Sequence, residues 1–106
     1  MKELKLNQED IDAFEVEIDL MSNFFKMLSD PTRLKILLFL GDSEVCVNDI
    51  AAGINMTKSA VSHQLALLRT ARLIKNHRVG KEVFYSLSDD HVKILMESAF
   101  EHVNEK

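Results

Sequence analysis

Four residues near the C-terminus carry side chains that bind metal ions: Asp89 and His91 at one end of a short stretch, His102 and Glu105 at the other. Imidazole nitrogens and carboxylate oxygens are donors for zinc and its neighbours. His91 and His102 lie eleven residues apart, roughly 16 Å on a helix that rises ~1.5 Å per residue. An ion that holds each ligand at about 2 Å cannot be reached from both ends of one helix. Eleven residues are also about three turns, so the histidines share a face, and Glu105 shares it with His102. Asp89 would diverge from His91 in a regular helix. It therefore belongs at the capping residue or just before it, where the backbone can redirect it.

Two copies of this helix, antiparallel across a two-fold axis, resolve the distance. The pairs His91–His102 and Asp89–Glu105 are centred within about half a residue of each other, near Met96 and Glu97. One register thus brings Asp89 and His91 of one chain to His102 and Glu105 of the other, and symmetry makes the site twice. Two nitrogens and two carboxylate oxygens form a closed tetrahedron suited to zinc, then to cobalt(II), then to nickel(II), which favours more ligands. Arsenite, lead and copper(I), which want sulfur, do not fit. Acids and histidines near a chain end are ordinarily a solvated face, and the common centre argues against that here. Four protein ligands leave no open metal position, and no nucleophile–base pair is evident, so an enzyme is not expected.

Such a register needs helices to hold it. The chain has 106 residues, 46% of them hydrophobic, enough for one domain over residues 1–106 and small enough to gain from a second copy. Ile11, Phe14, Ile18, Met21, Phe25 and Leu28 recur at spacings of three and four, an apolar seam predicting a dimerisation helix over about 8–28. Asp30-Pro31 restarts the chain as a cap and first turn, and Gly41 ends the next apolar helix. A short helix from Val47 and a longer one to about Leu73 predict a helix-turn-helix over 47–73, with Val61, Leu65, Leu68 and Leu73 inward. Alternation around Gly80 predicts a β-hairpin over about 74–87, the wing of a winged helix. A last helix over about 89–104 has an apolar face of Val92, Leu95, Met96, Ala99 and Val103. The expected fold is mainly α with one β-hairpin: a winged helix-turn-helix paired into a homodimer through its N- and C-terminal helices.

Charge is segregated along this frame. Residues 1–19 carry seven acids against two lysines, whereas residues 57–81 carry six cations and no acid. A basic middle within a net charge of −4 suggests an anion-binding segment. Short polar side chains at the start of a recognition helix can reach base edges, which nominates Ser59, Ser62, His63 and Gln64. Gln64 is the strongest base-reading candidate. Lys58, Arg78 and Lys81 would meet phosphates, and His77 beside Arg78 would assist on the backbone. The N-terminus has no apolar signal core and no run of eighteen apolar residues follows, so a soluble cytoplasmic protein is expected.

The segments DPTRLKIL (30–37), EVCVNDIA (44–51), SAVSHQLALLR (59–69) and VGKEVFYSL (79–87) resemble the ArsR/SmtB family of winged-helix metalloregulators. The resemblance implies a homodimeric repressor on inverted-repeat operator DNA, released by its inducer. The pattern Asp89-x-His91-x10-His102-x2-Glu105 is similar to the C-terminal-helix site of the zinc-sensing branch. It also implies that His102 hands a hydrogen bond to the backbone carbonyl of Arg72, just beyond the recognition helix. Thiolate sensors of the family carry Cys-x-Cys where this chain reads Cys46-Val47-Asn48. A further branch joins the positions of Cys46 and Asp49 to Cys or His from a partner's N-terminal arm, and residues 1–19 contain neither. A second metal site is therefore not expected, and Cys46 reads as a small buried hydrophobe. Two rival readings remain: a winged-helix repressor answering a redox signal at Cys46, and a zinc-binding scaffold without specific DNA binding.

Overall fold

Side-chain caps open four of the six helices among the described residues. The computed structural model describes residues 5–105. Asn7 opens α1 (Gln8–Ala13) with a reciprocal box, its Oδ1 accepting from the Asp10 N–H at 2.9 Å and its own N–H donating to Asp10 Oδ2 at 3.1 Å. Asp30 opens α3 (Pro31–Leu40) by accepting from the Arg33 N–H at 3.0 Å, with Pro31 in the first turn. Gly41, at φ 50°, ends α3 where a side chain would be strained. Thr57 opens α5 (Lys58–Thr70), accepting from the Ala60 N–H at 3.1 Å. The remaining elements are α2 (Glu15–Leu28), β1 (Val45–Cys46), α4 (Val47–Ile54), β2 (Ile74–Val79), β3 (Glu82–Leu87) and α6 (Asp90–Val103).

Two local features differ from the sequence expectation. The single N-terminal helix is interrupted at Phe14, where φ −105° and ψ 24° leave the helical basin. The Phe14 N–H is shared between the carbonyls of Asp10 and Ile11 at 3.1 Å each, which tightens the turn. Ile18 then bonds back to the Phe14 carbonyl at 2.9 Å, and the helical path resumes. The second difference is β1, which was not expected. It pairs Val45 with Tyr85 and Cys46 with Phe84, so the hairpin is part of an antiparallel sheet in the order β1-β3-β2.

One core gathers the helix-turn-helix and the hairpin. Ile36, Leu37 and Leu40 of α3, Ile50 of α4 and Val61, Leu65 and Leu68 of α5 are buried, together with Leu73 and Ile74. Val92 and Met96 fasten α6 to this core, while Ala99 and Val103 of its expected apolar face stay exposed. The N-terminal seam behaves differently. Leu28 is buried, but Ile11, Ile18, Met21 and Phe25 remain 40–56% exposed, an apolar stripe without a partner in one protomer. No helix among the described residues is long and apolar enough to cross a membrane.

Candidate nucleic-acid interface and metal-ligand pairs

The turn between α4 and α5 is built on Asn55, whose φ of 57° and ψ of 53° reverse the chain in the left-handed conformation. Thr57 then aims the start of α5 outward. Lys58, Ser59, Ser62 and His63 are exposed. Ser59, Ser62 and Ala66 form a line along the helix, with His63 beside it. Ala66, which the sequence reading does not nominate, continues the same exposed spacing.

Gln64 is placed differently from these side chains. It lies three residues after Val61 and four before Leu68, both fully buried, so helical geometry turns it about 160° away from Ser62. The side chain is half-buried, and its Oε1 accepts from Arg33 Nε of α3 at 3.0 Å. The residue nominated as a base reader faces the interior of the helix-turn-helix instead. The signal was present in its spacing to Val61 and Leu68.

At the hairpin, Gly80 takes φ 62° so that Gly80-Lys81 can connect the paired Val79 and Glu82. Arg78 and Lys81 are exposed near this tip. His77 is held elsewhere: its Nδ1 lies 2.8 Å from Glu44 Oε2, and its ring stacks on cross-strand Phe84 with centroids 5.9 Å apart. The carboxylate and the ring occupy the side chain that had been expected to help on phosphates.

Asp89 occupies the N-cap of α6, its Oδ1 accepting from the Val92 N–H at 3.1 Å. That extended residue bends the carboxylate toward His91, whose Nδ1 is 3.6 Å from the same Oδ1. At the other end, His102 Nδ1 is 3.7 Å from Glu105 Oε2. Bonds of about 2.0–2.1 Å place adjacent donors of a tetrahedral ion roughly 3.3 Å apart, so each pair is close to the spacing one ion requires. The donor set fits zinc. All four side chains are largely exposed, His91 at 95%. No group of three or more His, Cys, Asp or Glu able to hold a metal occurs among the described residues. Each pair thus offers two candidate ligands and no more among the described residues of one protomer.

The other side of α6 is anchored. Lys93 Nζ lies 2.6 Å from Asp42 Oδ1 in the loop after α3, and that hydrogen bond holds the ammonium above the usual lysine range. Lys93 is two residues on from His91, on the opposite side of the helix, so the anchor leaves the histidine face open. Arg72 stands just past α5 in the left-handed region, at φ 62°. Its N–H bonds to the Arg69 carbonyl and that of Leu73 to the Leu68 carbonyl, both at 3.0 Å. This is a Schellman closure formed without glycine. Cys46 is half-buried at the N-cap of α4 and makes no side-chain cap bond.

Comparison with known proteins places this arrangement. Residues 30–76, from the cap of α3 into β2, match the model for the arsR family of bacterial regulatory proteins. A protein described as a transcriptional repressor SmtB homolog, from a Synechocystis species, is 47% identical over 85 residues, 80% of this chain and 64% of its own length. A cadmium resistance transcriptional regulatory protein CadC homolog from Staphylococcus aureus is 44% identical over 86 residues, 80% of this chain and 71% of its own. Among solved structures, reduced HlyU from Vibrio cholerae superimposes with a TM-score of 0.79 at 28% identity, covering 88% of this chain and 98% of that one. Both sequence relatives are described as transcriptional regulators. With a matching helix-turn-helix, a wing behind it and this degree of identity, the chain belongs to the arsR family of bacterial regulatory proteins.

Proposed function

We propose that this protein is a cytoplasmic metal-responsive transcriptional repressor. It binds double-stranded operator DNA with an inverted repeat as a homodimer and leaves it on binding zinc, derepressing genes for metal efflux or sequestration. The observation that carries the reading is the pair of two-ligand sets on one open face of α6, with donor spacings of 3.6 and 3.7 Å. Across a two-fold axis, Asp89 and His91 of one protomer meet His102 and Glu105 of the other. The ion supplies a crosslink between protomers. The exposed seam of α1 and α2 provides the apolar part of the same dimer. Neither pair includes a thiol, which favours zinc over sulfur-seeking ions.

On the DNA side, Ser59, Ser62, His63 and Ala66 face the major groove, Ala66 meeting a thymine methyl group. Lys58, Arg78 and Lys81 meet phosphates, which position the domain without specifying sequence. The backbone of Arg72 links the two sites, as the acceptor for His102. Coupling is reciprocal: whatever factor zinc takes from DNA affinity, operator DNA takes from zinc affinity. The relatives described as a repressor and as a cadmium resistance regulator support a metal-linked repressor. The test is a set of DNA-binding isotherms on the region upstream of the protein's own gene, with and without zinc, cobalt and nickel. Zinc should weaken binding most. Metal binding without a footprint would favour the scaffold reading, and peroxide-dependent release without a zinc effect would favour a redox signal at Cys46.

A further inference from the structure

Arg33 bridges three helices. Its N–H is fixed by the Asp30 cap at 3.0 Å. Its Nε donates to Gln64 Oε1 of α5 at 3.0 Å, and its Nη1 lies 3.7 Å from Met27 Sδ in the last turn of α2. Arg33, Gln64 and Met27 are all half-buried. The ion pairs among the described residues lie elsewhere, so this guanidinium is held by neutral acceptors. A half-buried cation is tolerated when its N–H groups are satisfied. The planar guanidinium also fixes the directions of its N–H bonds, so two contacts from one group define an angle as well as a distance.

We propose that Arg33 is the positioning residue of the recognition helix. By holding Gln64 on one side and Met27 on the other, it sets the rotation of α5 about its axis and ties that rotation to α2. The inference rests on the DNA-binding reading above. Gln64 sits on the flank of α5 that carries Val61 and Leu68, opposite the Ser59-Ser62-Ala66 line. A pull on Gln64 therefore turns the exposed line. With side chains reaching 5–6 Å from the axis, a rotation of about 20° moves a tip by about 2 Å. A base hydrogen bond does not survive that displacement. Apolar packing of Val61, Leu65 and Leu68 buries the helix but resists such a turn less sharply than a directional bond does.

The experiment uses the full chain and a duplex selected from a random-sequence pool by the parent protein, with an unrelated duplex as reference. Gln64→Glu keeps the acceptor and adds charge to it, so affinity for the selected duplex should stay within about threefold of the parent. Gln64→Met and Arg33→Met remove the bond, and each should lose about tenfold or more on the selected duplex. Affinity for the unrelated duplex should change little, because the phosphate contacts are intact. The double variant should be no worse than the worse single one. Gln64→Met leaves Arg33 in place, so it decides the matter if Arg33→Met fails to fold. A loss of tenfold or more in Gln64→Glu would put Gln64 against nucleic acid and overturn the proposal, as would equal losses on both duplexes in Gln64→Met. If the parent selects no sequence at all, the DNA-binding reading itself fails.

Discussion

Replacing Phe25 by alanine should dissociate the proposed homodimer. Phe25 lies in the seam of α2 and is 49% exposed in one protomer. An aromatic side chain of roughly 200 Å² therefore leaves about 100 Å² to be covered by a partner. At about 25 cal/mol/Å² that is worth ~2.5 kcal/mol. A two-fold interface uses the residue twice, giving ~5 kcal/mol if burial is complete and ~2.5 kcal/mol if half complete. With about 1.4 kcal/mol per tenfold, the dimer dissociation constant should rise between about sixtyfold and several thousandfold. Within the protomer, Phe25 makes an edge-on contact with Phe24, whose ring centroid is 5.5 Å away. Sedimentation velocity across a dilution series measures the constant. Val16→Ala is the control: that side chain is 70% exposed, yet it lies nine residues before Phe25, about 180° around the helix, and its loss should change nothing. An unchanged constant for Phe25→Ala, or an equal effect of Val16→Ala, would refute the dimer through this seam.

Other perturbations separate the two sites. His102→Ala should abolish the zinc-induced weakening of operator binding while leaving metal-free affinity intact, whereas Cys46→Ser should leave the zinc response nearly unchanged; fluorescence anisotropy with and without zinc reads both. Lys81→Ala should weaken all duplexes alike and reduce the slope of log K against log salt by about one contact, as titrations at several salt concentrations would report. Thr57→Ala removes the cap of α5, a bond of 3.1 Å to the Ala60 N–H, and should cost about 1 kcal/mol in denaturant unfolding. Thr57→Asp should keep that stability yet lose DNA affinity through its charge.

The periodicity of the chain determined most of its elements, because helix and strand repeats are local. Val61, Leu65 and Leu68 announced the buried face of the recognition helix, and all three are buried; Leu73, expected on the same helix, is buried but lies past its end at Thr70. The hairpin was legible in the alternation around Gly80, since a two-residue turn needs only its own glycine. The proximity within each ligand pair, Asp89 with His91 and His102 with Glu105, was also local: it follows from a cap and from an i,i+3 spacing. Interactions between segments distant in sequence were not legible. Strand β1 is only two residues long and exists because Tyr85 and Phe84 come alongside Val45 and Cys46. The break at Phe14 turns on a single shared N–H, which the unbroken seam spacing conceals. Gln64 shows the division most plainly. Its spacing put it on the inner flank of α5, but only the packing of α3 against α5 brought Arg33, 31 residues away, to its amide oxygen. Local sequence sets which way a side chain leaves its own helix, and tertiary packing sets which group meets it there.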